Sequence, residues 1–436
     1  MNKVLKISLL FFLLLFIYNI NLRETSSGDT IPNRYLPVSI IKEFNLDLNE
    51  FPFLYNSEAN EEYLFIQPVK GKYLSSYPIL PAILAVPIYF FPLSFGMPIN
   101  SRTVDALSKF SATIFAALSV LFLYLSLNEL TDEKKSLAIS LIYAFATSTW
   151  SVSSQGIWLH GPTQMFFCLT ILFLIRASKN QKYVIYSAIP LSLAVTCRPT
   201  HVLVAFIFAT YVFQKYRNQL LRFLIICLSI ALFLLYYNYF YFENFSGGLA
   251  ALQKAGVKTH EMSGTWTINF LPGLIGLLIS PNRGILTYSP VLIFSFWGVY
   301  NSWKKRKDTV FKYFSIATFS VIFLYSFTQA WWGGYAYGYR LLLDILPFLC
   351  LFLVFVWDEV FYKNYLKIIF LILIIFSVFV QVVGAFYYPS SWNGHPVSVD
   401  LAPERVWDFK DTQILRCVKE GPHIPWAFER FSRRGF

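Results

Sequence analysis

Apolar runs of about 15–25 residues, separated by short polar clusters, fill most of the chain. Runs of this length predict membrane-spanning helices, because about 20 residues cross the hydrocarbon core. The first is Val4–Ile20, with Lys3 and Lys6 at its start. No small-x-small cleavage site follows it, so it reads as an uncleaved anchor with its N-terminus inside. Further crossings are predicted at about 104–127, 136–153, 161–177, 183–197, 199–213, 219–241, 285–301, 311–328, 341–358 and 366–386. Two apolar segments are ambiguous. Tyr77–Phe95 carries Pro78, Pro81, Pro87 and Pro92, which interrupt helical hydrogen bonding, and Ile268–Ile279 is short and contains Pro272, Gly273 and Gly276.

The polar residues orient these runs. Seventeen of the 36 Lys and Arg lie around 3–6, 134–135, 176–182, 215–222, 304–312 and 363–367, between apolar runs. This is the positive-inside pattern of cytoplasmic loops. The loop Asn21–Ser76 instead holds eight of the 24 acidic residues and five basic ones, which fits the outer side. If both ambiguous segments stay at the surface or dip in and return, about 11 crossings result and every basic short loop falls inside. The expected protein is therefore all-α and polytopic, with an integral domain at 1–388 (outer loop 21–76) and a polar tail at 389–436 on the outer side. No internal repeat is visible.

Composition narrows the class further. Apolar residues make up 56% and charged residues 14%, with 45 Phe and 28 Tyr, and the mean hydropathy is +0.52. These values exclude a soluble enzyme, a disordered chain and a disulfide-knit secreted module. The net charge of +12 is spread over the short loops rather than one solvated face, so no nucleic-acid partner is expected. Cys168, Cys197, Cys227 and Cys350 lie in apolar runs and only Cys417 outside them; neither a structural disulfide nor a zinc spacing is expected.

The informative polar residues are those near membrane level: Asp29, Arg102, Asp105, Lys109, His160, Arg198, Arg283, Arg340 and Asp344. The topology puts nearly all of them at outer helix ends or in outer loops. Ionisable groups there are costly and face a cavity or a partner, so their convergence predicts one outward-facing site. Asp29 follows Ser26-Ser27-Gly28 and reads either as a general base above the membrane or as the N-cap of a helix starting near Pro32. Trp331–Arg340 contains three glycines that let a backbone approach a ligand closely. Its aromatics, Trp331, Trp332 and Tyr337, can stack on a sugar or form an interfacial belt. Arg340 can grip a phosphate with a bidentate fork, and Asp344, one helical turn on, can hold Arg340 in place. Arg283 precedes a helix start suited to an anion. Arg198, Lys109 and His160 are further ligand candidates, each with a structural alternative. No nucleotide-phosphate loop and no metal-ligand spacing is present; a divalent cation is possible but not indicated.

Taken in order, six motifs carry a resemblance. They are Gly28-Asp29-Thr30, Leu74-Ser75-Ser76-Tyr77-Pro78, Trp158-Leu159-His160-Gly161-Pro162, Arg198-Pro199-Thr200, the Ser280–Pro290 run and Trp331–Arg340. From about residue 4 to 388 the chain resembles the integral-membrane glycosyltransferases of the GT-C class, which include protein O-mannosyltransferases and lipid A aminoarabinose transferases, and among these the bacterial members that decorate envelope glycans. The resemblance implies a GT-C-like bundle of about 11–13 transmembrane helices with a first outer loop of juxtamembrane helices. It implies a polyprenyl-phosphate-linked sugar as donor and a lipid-linked glycan, polysaccharide or protein as acceptor. It places the transfer on the outer face of a bacterial inner membrane, by an inverting displacement. It also implies Asp29 as catalytic base or acceptor-orienting residue. Many relatives have a second acidic residue beside this Asp; here the neighbour is Thr30, so a carboxylate partner must come from elsewhere, with Glu24 a candidate. A polysaccharide polymerase or ligase and a non-enzymatic flippase are the alternatives. The first would carry its largest outer loop late in the chain, and the second would show repeated halves.

Overall fold

The computed structural model describes residues 3–25, 27–259, 262–305 and 308–423. Ser26, the basic pair Arg306 and Lys307, and the end of the tail from residue 424 lie outside the described residues. Apolar helices dominate. Among the described residues, Ser101–Leu127, Arg217–Phe242 and Asn364–Tyr387 are long and apolar enough to cross a membrane, and Val4–Asn19, Leu80–Ser94, Lys182–Cys197 and Val310–Ser326 are shorter apolar helices. The chain is an integral membrane protein. Arg217–Phe242 carries the argument best: only Phe223 on it is buried, while Leu221, Leu228, Leu232 and Phe233 face outward. A helix that is apolar all round and exposed needs lipid, not water, as its solvent.

The centre of the bundle is formed by Ser101–Leu127, His160–Ala177 and Lys182–Cys197, packed side by side. Buried Ser111, Ala112, Ala116 and Ser119 on the first of these let the helix backbones approach closely, as small residues do in membrane bundles.

Several expected single crossings are interrupted. Segment 136–153 is the helix Glu133–Phe145 followed by a wide helical turn, Thr149–Ser153. Segment 285–301 is a short helix, Ile285–Tyr288, a turn at Pro290, and then Ile293–Lys305; Pro290 has no N–H with which to continue the first helix. Segment 341–358 opens with a 3₁₀ turn, Arg340–Ile345, and continues as the fully buried helix Leu346–Phe352. Of the ambiguous pair, Tyr77–Phe95 contains Leu80–Ser94, and Ile268–Ile279 contains the nine-residue helix Leu271–Ile279, which at about 1.5 Å per residue is too short to span a bilayer alone.

The loop after the first helix is more than helices. Besides Ile31–Lys42 and two short helices it holds an antiparallel hairpin, Ile66–Val69 with Lys72–Ser75, in the register Ile66↔Ser75. Lys70 (φ 51°) and Gly71 (φ 76°) form its two-residue turn, and two left-handed residues there match the strand twist. The Gln67 side chain donates to the Gly248 carbonyl at 2.8 Å. This ties the hairpin to the start of the amphipathic helix Leu249–Thr259. A Cβ on Gly248 would meet Ser76 Cα at 2.5 Å, so only glycine permits the approach. The described part of the tail folds back on the bundle, with the helix Gln413–Glu420 against Asn364–Tyr387.

Candidate active site

Asp29 is placed by a chain of buried amides. Asn21 Nδ2 donates to Gln155 Oε1 at 2.7 Å and to the Ala385 carbonyl at 2.8 Å, and the Thr25 amide donates to the Gln155 carbonyl at 2.9 Å. The exit of the first helix is thus tied both to the turn after Ser153 and to the end of the last long helix. Residues Gly28–Thr30 then make one 3₁₀ turn. The Ser27 hydroxyl donates to Asp29 Oδ1, and Arg340 Nη1 donates to Asp29 Oδ2 at 2.8 Å. The next helix, Ile31–Lys42, starts after Thr30 without a side-chain cap, so Asp29 is not its N-cap.

Arg340 reaches Asp29 because the segment before it is bent by glycines. Gly333, Gly334 and Gly338 all have positive φ, and a Cβ on Gly338 would lie 2.7 Å from the Tyr288 ring. The Arg340 guanidinium lies over the Trp158 ring, 5.4 Å from its centroid. Asp344 does not hold Arg340, as expected from an α-helical turn. Residues 340–345 are 3₁₀, and at 3.0 residues per turn positions four apart point about 120° away from each other.

Asp344 instead forms a buried hub. Its side chain has 0% exposure and accepts from Arg198 Nη1 and from His201 Nε2 at 2.8 Å, and His160 Nδ1 lies 3.0 Å from its other oxygen. Arg198 Nη1 is also 2.9 Å from His160 Nδ1; with its proton on Nδ1, the ring donates to the carboxylate. Arg198 Nη2 donates to the Tyr325 hydroxyl at 2.7 Å, which Thr200 Oγ1 approaches at 2.9 Å. Asp344 is therefore no substrate ligand; it is the counterion that fixes Arg198 and two histidines.

Two cavities meet at the Asp29–Arg340 pair. One, of about 510 Å³, is lined by Asp29, Arg340, Trp158, His160 and Arg198, with Leu234 and Leu235 of the lipid-facing helix on its wall. The other, of about 780 Å³, shares Asp29, Tyr77 and Arg340 and extends toward Tyr335, Asn393 and His395. Both lie in the size range of ligand sites. Burial pushes the Tyr77 phenol well above its ordinary range and the Asp29 carboxylate adds to this, so Tyr77 stays a neutral hydrogen-bonding group at the junction.

The structure thus brings Asp29, Arg340, His160 and Arg198 to one place. It takes other candidates elsewhere. Arg283 is 1% exposed, and its five N–H groups donate to Trp332 O, Asn282 O, Gln413 Oε1, Gly334 O and Asn393 Oδ1. Burial pushes its guanidinium down, yet an arginine stays charged. No donor is left for a phosphate, and Arg283 serves as the anchor of the C-terminal segment. Lys109 is buried and donates to Gln155 Oε1 at 2.6 Å, supporting the amide that positions Asn21; it lines neither cavity. Tyr337 is a packing residue whose hydroxyl donates to the Val380 carbonyl at 2.8 Å. Trp331 and Trp332 line a neighbouring groove. Glu24 pairs with Arg34 at 3.4 Å, beside Asp105.

Sequence reasoning met Tyr77 only as part of the Leu74–Pro78 motif, with no role, and did not point to His201 or Tyr325. His201 follows the Arg198-Pro199-Thr200 motif directly, which was a usable signal; Tyr325 sits in an apolar helix with none. Among the described residues no His, Cys, Asp and Glu group suits a metal ion, and all five cysteines are free. Asp29 has an arginine rather than a second carboxylate at its open oxygen, a donor set that does not fit a divalent cation.

A family model described as dolichyl-phosphate-mannose-protein mannosyltransferase matches residues 63–240. The fold is shared with solved structures of the oligosaccharyltransferase of Archaeoglobus fulgidus. Its complex with Zn and sulfate aligns with a TM-score of 0.55 and 13% identity over 86% of this chain and 53% of that one. Its complex with an inhibitory peptide and a dolichol-phosphate gives a TM-score of 0.53 and 13% identity over 88% and 56%. The chain spans about half the length of these proteins. No curated protein matches it in sequence. In family model and in fold, the chain resembles the GT-C glycosyltransferases.

Proposed function

We propose that this chain, GT-C-like in family model and fold, is a glycosyltransferase that moves a sugar from a polyprenyl-phosphate donor to an envelope acceptor on the outer face of the membrane. The observation that carries the reading is the position of Asp29 and Arg340 where the two cavities meet. The smaller cavity has an apolar wall, including Leu234 and Leu235 of the exposed helix Arg217–Phe242, suited to a prenyl chain arriving sideways from lipid. A lipid-phosphate ligand of the structural relative, a dolichol-phosphate, supports the same donor class.

Arg198, Arg340 and His160 line this cavity and are the phosphate-binding set. Arg340 leaves Asp29 for the incoming phosphate, which frees the carboxylate to receive the acceptor. The acceptor oxygen attacks the sugar C1, the C1–O bond to phosphate breaks with its electron pair on the phosphate, and the acceptor proton passes to Asp29. The configuration inverts because attack and departure lie on opposite faces. Charge grows on the leaving phosphate, and arginines already held in place stabilise it without reorganisation.

The test is transfer by the full-length protein in proteoliposomes given a radiolabelled polyprenyl-phosphate sugar and host envelope fractions. Label should move to acceptor with wild type and not with Asp29→Asn. A flippase would carry the donor across intact, so an uncleaved donor that changes leaflet would defeat the proposal.

A further inference from the structure

We propose that the acceptor is an uncharged glycan of several sugar units, running from Asp29 through the larger cavity into a second groove that ends on Trp331 and Trp332. This rests on the glycosyltransferase reading and goes beyond it by naming the acceptor class. The groove, of about 520 Å³, is separate from the Asp29 junction but shares Met262, Thr328 and Asp400 with the 780 Å³ cavity. Together the two form one path with the Asp29–Arg340 pair at its start. Each is large enough for a ligand by itself, so a single sugar at Asp29 would leave most of the path empty.

The lining decides the chemistry. A sugar unit offers an apolar C–H face and a rim of hydroxyls; planar rings take the face, while amide, hydroxyl and carboxylate side chains take the rim. The groove supplies Gln329, Asn269 and Asp400 for the rim, and the exposed edges of the otherwise buried Trp331 and Trp332 for the apolar face. Asp400 is 4% exposed and accepts from Trp332 Nε1 at 2.8 Å, which fixes one indole against the path. Gly333 and Gly334, both with positive φ, reverse the chain there, so that Trp331 and Trp332 line the groove while Gly333, Gly334 and Tyr335 line the cavity. Among the described residues, the groove is lined by no Lys or Arg and by one carboxylate, Asp400. A phosphate-rich or otherwise anionic acceptor would find no cationic side chain on this described lining, whereas a neutral polyol needs none.

The test uses the full-length protein in proteoliposomes with a radiolabelled polyprenyl-phosphate sugar. The acceptors are neutral oligosaccharides of one to six units released from the host envelope polysaccharide. For wild type, kcat/KM should climb with length until the groove is filled and then level off. The double variant Asn269→Ala/Gln329→Ala removes two polar groups of the groove. It should shrink the advantage of the longest over the shortest acceptor about tenfold, the worth of one to two neutral hydrogen bonds. Asn269→Trp, at an exposed position, narrows the groove by bulk and should flatten the length dependence in the same direction. Donor cleavage with no length dependence in wild type, or an undiminished advantage in both variants, would overturn this inference and leave the glycosyltransferase reading standing. Label appearing in protease-sensitive material would replace the glycan by a peptide acceptor. An intact donor under all conditions would defeat the glycosyltransferase reading itself.

Discussion

Arg340→Lys keeps the positive charge at the junction of the cavities and removes the planar fork. Arg340 donates to Asp29 Oδ2 at 2.8 Å and covers the Trp158 ring at 5.4 Å. A lysine ammonium can keep one bond and a cation–π contact with Trp158, but not the planar fork. It therefore cannot offer a phosphate two parallel donors, and a hydrogen bond to a charged group is worth about 1.5–3 kcal/mol. The Arg340 side chain is 20% exposed, so water screens it and the lower half of that range applies. The loss is about 1.5–2.3 kcal/mol, or about 10–50-fold in kcat/KM at tenfold per 1.36 kcal/mol. Because the phosphate gains charge as it leaves, kcat should fall together with kcat/KM rather than KM alone rising. The assay is steady-state transfer from a short-chain polyprenyl-phosphate sugar by wild type, Arg340→Lys and Arg340→Ala, with Ala the most impaired. A change below threefold for Lys would mean that a simple cation suffices, and the phosphate-fork argument would fail.

Asp29→Asn preserves shape and a hydrogen-bond acceptor for Arg340, but removes the base; transfer should drop about 10²–10⁴-fold with unchanged expression, and activity within threefold of wild type would remove Asp29 from the chemistry. Asp344→Asn leaves Arg198 buried without its countercharge. Because removing one member of a buried pair costs about 3–5 kcal/mol, the detergent-solubilised protein should unfold at clearly lower denaturant, in contrast to Asp29→Asn; equal stability of the two variants would contradict the hub. For orientation, single cysteines at Ser57, Tyr335 and Ser398 in a Cys-free background should all react with an impermeant maleimide in intact cells. Tyr335 and Ser398 are hydrogen bonded at 3.1 Å, so labelling of one without the other would be incompatible with the fold.

The helical bundle was legible because apolar run length depends on bilayer thickness alone. The breaks in it were less so. At Pro290 the proline was visible, but whether the chain kinks or restarts depends on what packs against it. The hairpin at 66–75 escaped because four-residue strands are too short for a period-two pattern, and its turn is Lys70-Gly71 rather than Asn-Gly. Asp29, His160, Arg198 and Arg340, which line the smaller cavity, stood out in the sequence as rare ionisable groups at membrane level. Their partners did not, since pairing depends on tertiary placement: Arg340 bonds a residue 311 positions away. The expected Arg340–Asp344 contact assumed α-helical spacing, and a single 3₁₀ turn reassigned both residues. Arg283 shows the opposite error. A buried arginine in a Gly-containing loop reads the same in sequence whether its five donors meet a ligand or, as here, carbonyls and amides of its own chain.

The two arginines of the smaller cavity are both neutralised before any ligand arrives, but not in the same way. Arg198 is paired with Asp344, whose side chain has 0% exposure, and Arg340 with Asp29, whose side chain has 15%. Separating the first pair would strand a carboxylate where water cannot reach it, and the cost of that exceeds what one phosphate bond returns. Separating the second leaves Asp29 at the mouth of two cavities, where water or an acceptor hydroxyl can take the place of the guanidinium. In the proposed phosphate site, Arg198 is therefore the fixed part and Arg340 the exchangeable one. The exchange has a chemical consequence. While Arg340 donates to it at 2.8 Å, Asp29 Oδ2 is occupied; when, on the proposed reading, a donor phosphate draws Arg340 away, that oxygen is open to the acceptor hydroxyl. On that proposed reading, the arginine that binds the leaving group also controls when the acceptor can reach Asp29, which couples donor binding to acceptor binding.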